Sequence, residues 1–229
     1  MQIWPDVYLL KGKASNLYLC VDEDGLTLID AGMPGEQRLV FDLLGQLGHD
    51  PSQIVRILIT HADIDHAGSL AAILSASGAQ VYGSEMTAHY LRTGKSPDHL
   101  PRLLQWLSNT FVKYQPVSEN SIVTFSDGDE LPVLGGLKVL ATPGHTSDHF
   151  SFYSPSTGVL FAGDAIDTRN GRLNRSRKLI TADDEKANQS AIKLLELAPT
   201  TFACGHGEPL SGHDSGVLMK FFNELRESN

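Results

Sequence analysis

Apolar residues along this chain recur with two different periods, and the switches between them mark out its elements. Val7–Leu10, Leu17–Val21 and Leu26–Ile29 are short apolar runs separated by polar, glycine-containing turns, and they read as strands. From Glu36 the spacing changes: Leu39, Val40, Leu43, Leu44 and Leu47 recur at helical intervals until Gly48. Ile54–Ile59 is an apolar strand with Arg56 as its single charge. Leu70, Ile73 and Leu74 predict a second amphipathic helix, stopped by Gly78, and a strand follows at Gln80–Gly83. The rhythm then breaks. Residues 84–116 read as helical pieces interrupted by Gly94, Pro97 and Pro101, a lid or insert that carries Trp106, Phe111 and Tyr114. Short strands return at Ile122–Phe125, Leu131–Val133, Leu137–Ala141, Phe150–Tyr153 and Val159–Ala162. After them come a polar segment at Asp167–Lys178, a helix over Ala182–Leu197, a strand at Thr201–Ala203 and a helix from Asp214.

No repeat, low-complexity tract or Pro/Gly/Ser-rich linker divides the 229 residues, so the pattern predicts one domain over 1–229. Both halves run from strands to helices. That likeness suggests two sheets packed face to face with helices outside, an α+β arrangement. The aromatic set in the insert favours packing for Trp106 and leaves Tyr114 between packing and a substrate wall.

Composition narrows the partners. Hydrophobic residues at 41% supply a sizeable core, while a formal charge of −9 argues against a general nucleic-acid or anionic-membrane binder. The first residues, Met1-Gln2-Ile3-Trp4-Pro5-Asp6, lack the basic start and apolar core of a secretory signal. No apolar run approaches the roughly 18 residues of a membrane helix. Cys20 and Cys204 cannot build a disulfide framework, and the expectation is two reduced thiols and a cytoplasmic protein. The oligomeric state is left open.

The chemistry concentrates in Thr60-His61-Ala62-Asp63-Ile64-Asp65-His66, directly after an apolar strand. Imidazole and carboxylate suit a borderline or hard divalent cation, zinc, manganese or ferrous iron. Adjacent side chains diverge, so two ions sharing the loop is a more natural arrangement than one. Three later positions share the setting of a polar residue beside glycine at a strand end: His145 after Thr142-Pro143-Gly144, Asp164 after Gly163, and His206 between Gly205 and Gly207. Each alone is more often a turn residue than a ligand; the recurrence is what counts. Glycine at such places lets backbone or substrate approach closely.

Taken in order, these motifs resemble the metallo-β-lactamase superfamily over essentially the whole chain. Its His-x-His-x-Asp-His pattern is met by His61-x-Asp63-x-Asp65-His66, its Thr-Pro-Gly-His-Thr block by Thr142–Thr146, its Gly-Asp by Gly163-Asp164, and its early Asp by Asp30 in Leu28-Ile29-Asp30-Ala31-Gly32. The resemblance implies a four-layer αββα sandwich and a metal-dependent hydrolase with two divalent ions per chain. It implies one ion on His61, Asp63 and His145, a second on Asp65, His66 and His206, and Asp164 bridging. Asp65 and Asp164 would be the catalytic carboxylates, acting on a metal-bridging hydroxide. Asp30, Thr146 and His149 would support the ligands, since metal-bound imidazoles donate their other nitrogen to an acceptor. His49, His89, His99 and His213 have no motif context and read as surface or helix residues. Cys204 reads as a small buried hydrophobe.

One position departs from the pattern: Asp63 stands where the family usually has His. A third carboxylate makes the site less positive and favours harder cations, so manganese and iron rival zinc as the cofactor. The family's di-iron oxygen reductases share a carboxylate there. The expected substrates are small molecules, carboxylic esters, lactones or thioesters. An iron-dependent oxygenase acting on a persulfide, or a β-lactam hydrolase, is the alternative on the same fold. Arg169, Arg172, Arg175, Arg177 and Lys178 form a basic run in an acidic chain; it either holds an anionic substrate group, with Arg172, Arg175 and Tyr114 as contacts, or keeps its charges in water.

Overall fold

A computed structural model describes residues 1–111, 113–212 and 215–227, without the side chains of Arg102, Leu104, Ser108, Asn109, Phe111, Ser215 and Glu227. Two compact units divide the chain: Met1–Pro97 with Trp106–Phe125, and Asp98–Gln105 with Ser126–Asn229.

In the first unit the elements run β1 (Gln2–Trp4), β2 (Val7–Lys11), β3 (Asn16–Asp22), β4 (Gly25–Ile29), α1 (Gln37–Leu47), β5 (Ile54–Leu58), α2 (Ile64–Ala67), α3 (Leu70–Ser77), β6 (Gln80–Ser84) and α4 (Glu85–Thr93). Helix α5 (Arg102–Phe111), of which Trp106–Phe111 belong to this unit, and β7 (Ile122–Phe125) follow. All seven strands form one sheet in sequence order. Tight turns join β1 to β4, and these pairs are antiparallel; helical crossovers join β4 to β7, and these pairs are parallel. Helix α1 lays Val40 and Leu44 into the core beside Leu28 and Ile57, and Gly48 ends it in a left-handed cap at φ 76°. Gly78 and Gly94 close α3 and α4 the same way. On α5 the expected packing of Trp106 is not found: it is 62% exposed, beside an exposed Leu107.

The second unit contains β8 (Glu130–Leu131), β9 (Leu137–Ala141), β10 (Phe150–Ser154), β11 (Val159–Gly163), β12 (Ile166–Asp167), β13 (Asn174–Arg175), α6 (Asp184–Leu195), β14 (Thr201–Cys204), β15 (Leu210–Ser211) and α7 (Ser215–Glu227). Its main sheet has the order β15-β14-β11-β10-β9-β8. Strand β11 is buried on both faces, and it reads as a continuous apolar run because it lies between β10 and β14. Helices α6 and α7 cover the sheet through Ala191, Leu194, Phe221 and Leu225. The strand expected at Leu131–Val133 stops at Leu131, where Pro132 has no N–H to offer the ladder. The polar segment 167–178 holds an unexpected two-stranded ribbon, β12 with β13. The expected helix start at Asp214 lies outside the described residues. Among the described residues no helix is long and apolar enough to cross a membrane.

Candidate metal centre

Strands β4 and β5 are parallel neighbours with Ile29 opposite Leu58, so the residues that follow them leave the sheet at one edge. Such edges are where open parallel sheets present groups to ligands. Asp30 follows β4; Thr60 and His61 follow β5. Asp63 caps α2, a single turn whose first carbonyl accepts from the N–H groups of His66 and Ala67. His61 and His66 are fully buried, and their ring centroids stand 4.2 Å apart. His61 Nε2 lies 3.4 Å from Asp63 Oδ2, and His66 Nε2 lies 3.8 Å from Asp65 Oδ2.

Asp30 organises both imidazoles from behind. Its carboxylate accepts from His66 Nδ1 at 2.8 Å, from the Thr60 N–H at 2.9 Å and from the Thr60 hydroxyl at 2.9 Å. Thr60 Oγ1 is also 3.0 Å from His61 Nδ1. A hydroxyl has one proton. Because that proton goes to Asp30, Thr60 must accept from His61 Nδ1–H. Both imidazoles are thereby fixed with the proton on Nδ1 and the lone pair on Nε2, facing the neighbouring carboxylates. Asp30 holds a left-handed backbone at φ 61°, a conformation open to aspartate and asparagine and unfavourable for most other side chains.

The second unit repeats the logic with three strands. β9 and β11 both pair antiparallel with β10, and β11 pairs parallel with β14, so β9, β11 and β14 end at the same edge. His145, Asp164 and His206 follow those ends. Asp164 Oδ2 is 3.0 Å from His206 Nε2 and 3.5 Å from His145 Nε2. His149, just before β10, is fully buried and takes part in a directed relay. Its Nε2 accepts from the Asp164 N–H at 2.9 Å, and its Nδ1 is 2.8 Å from Thr142 Oγ1. Thr142 reaches Ser151 Oγ at 2.9 Å, and Ser151 donates to the Ala162 carbonyl. The relay fixes His149 neutral and commits both its nitrogens, so it braces Asp164. Thr146 is fully buried, with no hydrogen bond at Oγ1 among the described residues.

The glycines beside His145 and His206 serve backbone contact. A Cβ on Gly144, at φ +140°, would stand 2.2 Å from the Ala187 nitrogen in α6; one on Gly207, at φ +93°, would stand 2.3 Å from the Thr168 carbonyl carbon. Thr168 in turn holds the His206 carbonyl through its N–H and its hydroxyl, both at 3.0 Å.

The donor set fits divalent metal. Two ligands about 2.0–2.2 Å from one ion, at angles of about 90–109°, stand roughly 2.8–3.6 Å apart. The pairs His61–Asp63, His145–Asp164 and His206–Asp164 fall inside that range at 3.4, 3.5 and 3.0 Å, and His66–Asp65 lies just beyond it at 3.8 Å. All these donors are imidazole nitrogen or carboxylate oxygen. Cys204 does not join them: it is buried in the apolar cluster of the second unit, where burial and the charges of Asp167 and Asp164 push its thiol up.

The basic run divides into separate roles. Arg169 is neutralised by Asp167 at 3.2 Å. Arg172 and Arg175 line a cavity of about 570 Å³ with Lys220 and Phe221, and Arg175 also reaches Asn188 at 3.2 Å. Arg177, not singled out by the sequence, lines a small pocket with His145, Asp164 and His206. Tyr114, expected as a substrate contact, is 6% exposed; its hydroxyl sits 3.1 Å from the carbonyls of Ala62 and Lys95. Its position braces the loop between His61 and Asp63, because the tyrosine is held in the core by neighbours far away in sequence. His49 contacts Gln53 and His89 is exposed on α4; His213 lies outside the described residues.

Comparison with known proteins gives the class. The chain matches the family model for the metallo-β-lactamase superfamily over residues 10–206, and it belongs to that superfamily. It is 29% identical over 226 residues to "Probable metallo-hydrolase YflN" of Bacillus subtilis, covering 90% of this chain and 85% of that one. To a hydroxyacylglutathione hydrolase of Idiomarina loihiensis it is 32% identical over 188 residues, covering 81% of this chain and 57% of that one. Among solved structures, a B3 metallo-β-lactamase described as having an active-site glutamic acid shares the fold at a TM-score of 0.74 and 22% identity, covering 99% of this chain and 86% of that one. The two mixed sheets with helices are the α+β sandwich of this superfamily. Membership implies an enzyme, and its histidine and aspartate groups could hold a metal ion.

Proposed function

We propose that this protein is a dinuclear metal-dependent hydrolase of carboxylic esters, lactones or thioesters. The observation behind this reading is that each unit, at one edge of its sheet, gathers imidazole nitrogens and carboxylate oxygens at ligand spacing. His61, Asp63 and His145 would hold one ion, Asp65, His66 and His206 the other, with Asp164 shared. Such ions, when bound, supply a water acidic enough to attack at neutral pH and an electrophile for the carbonyl oxygen.

The chain's own residues do the rest. Asp30 and Thr60 keep the lone pairs of His61 and His66 aimed at the ligand side. His149 holds the Asp164 backbone, and Ser176 donates to its carbonyl. Asp65 is the more accessible carboxylate of its loop, its side chain 22% exposed, and is suited to orient the attacking water. Arg177, in the pocket of His145 and His206, suits an anionic group on the substrate better than Arg172 or Arg175. Thioesters come first in the order of testing because a hydroxyacylglutathione hydrolase is among the relatives. Asp63 adds a carboxylate to the donor set and favours harder ions beside zinc.

The test is a panel of esters, lactones, thioesters and β-lactams against zinc-, manganese- and iron-loaded protein. Turnover of an acyl substrate that is lost in His66→Ala and Asp164→Ala supports the reading. Oxygen consumption by the iron form, with no hydrolysis across the panel, would overturn it.

A further inference from the structure

No motif singles out His99, yet the fold sets its ring beside a proposed ligand. The His99 and His145 centroids are 5.2 Å apart, with the planes tilted by 51°. Two imidazoles bound to one ion at ligand angles of about 90–109° hold their centroids roughly 4.5–5.2 Å apart, each lying about 3.2 Å from the ion, of which about 2.05 Å is bond and about 1.15 Å is ring. His149 supplies the contrast. Its centroid is 6.4 Å from that of His145 with the planes at 88°, and both its nitrogens are engaged elsewhere.

The segment bearing His99 is held in place. Gln105 Oε1 accepts from the N–H groups of both His99 and Leu100, at 2.9 and 2.8 Å, while the Gln105 N–H closes on the Pro101 carbonyl. The imidazole is half-buried and lines an open cleft of about 670 Å³ with Leu100, Pro101, Lys178 and Leu179.

We propose that His99 is an additional metal ligand beside His145, supplying the imidazole that the family motif has where this chain carries Asp63. The inference rests on the dinuclear reading above. A neutral imidazole adds a nitrogen donor without adding charge to the site. It restores the number of imidazoles that the substitution at 63 removes.

The experiment uses the full chain loaded with cobalt(II). Each cobalt-bound imidazole contributes one exchangeable, strongly shifted N–H proton resonance. Wild type is expected to show five, from His61, His66, His99, His145 and His206, and His99→Ala four. Chelator competition with zinc should show a loss of affinity of at least tenfold in His99→Ala. Adding Asp63→His to that variant should return the affinity toward wild type. If His99→Ala is poorly folded by circular dichroism, His99→Gln takes its place. Two ions at unchanged affinity, with the same resonances in wild type and variant, would overturn the role of His99 alone, even if KM changed. A wild-type protein that takes up no metal would overturn this inference together with the reading beneath it.

Discussion

Replacing Asp30 with Asn tests the positioning argument at a single atom. Asn accepts the left-handed backbone at φ 61° and fills the same volume. Its amide oxygen can keep the contacts that Oδ1 makes with the N–H and hydroxyl of Thr60, at 2.9 and 3.1 Å. The amide nitrogen then replaces Oδ2, which accepts from His66 Nδ1 at 2.8 Å. Two donors now face each other. His66 either loses that hydrogen bond or moves its proton to Nε2, the nitrogen proposed to bind metal. Outer partners of this kind change metal affinity by about 10–100-fold, which is roughly 1.4–2.7 kcal/mol. A chelator-competition titration with zinc on wild type, Asp30→Asn and His66→Ala measures it. Asp30→Asn should fall between the other two, with an unchanged circular dichroism spectrum. An affinity within about twofold of wild type would refute the claim that Asp30 sets the His66 tautomer.

The remaining predictions concern the scaffold. Leu44→Ala opens a void under α1, where Leu44 is fully buried, and should lower the unfolding free energy in urea by about 2–5 kcal/mol; a loss below about 1 kcal/mol would mean the helix is packed otherwise. Gly144→Ala combines φ +140° with a Cβ 2.2 Å from the Ala187 nitrogen, and should destabilise by more than about 1 kcal/mol, read by the same titration. Burial, then the charge of Asp22, pushes the Cys20 thiol up, so the unfolded chain releases this proton first as pH rises. Stability should therefore fall above about pH 8.5 by up to about 1.4 kcal/mol per pH unit relative to Cys20→Ala, and equal slopes for the two proteins would contradict it.

Much of the candidate site was legible in sequence because His61, His145, Asp164 and His206 follow apolar strands at parallel edges. Local pattern finds such strands, and glycine marks where they end. Ile54–Ile59 and Val159–Ala162 pointed directly to His61 and Asp164. What escaped depends on contacts between distant residues. Asp30 emerged only through resemblance, although its link to Thr60 is the reason both imidazoles are aimed. His99 has no motif because its place beside His145 is made by the Gln105 clamp. Arg177 looked like one cation among five until the β12–β13 ribbon and the partners of Arg169 and Arg175 separated them. Trp106 reversed expectation, and Tyr114, left between packing and a substrate wall, fell on the packing side, for a related reason. Aromatic spacing on a broken helical insert does not say which ring the core takes, and the core took Tyr114.

On the proposed reading, His61, Asp63, Asp65, His66, His145, Asp164 and His206 hold two ions. Native mass spectrometry on the full chain, purified without chelator and titrated with zinc or manganese, tests it most directly. Two ions per chain are expected, and fewer than two once Asp164 is replaced by alanine. A single ion at saturation, or two ions retained by Asp164→Ala, would contradict it.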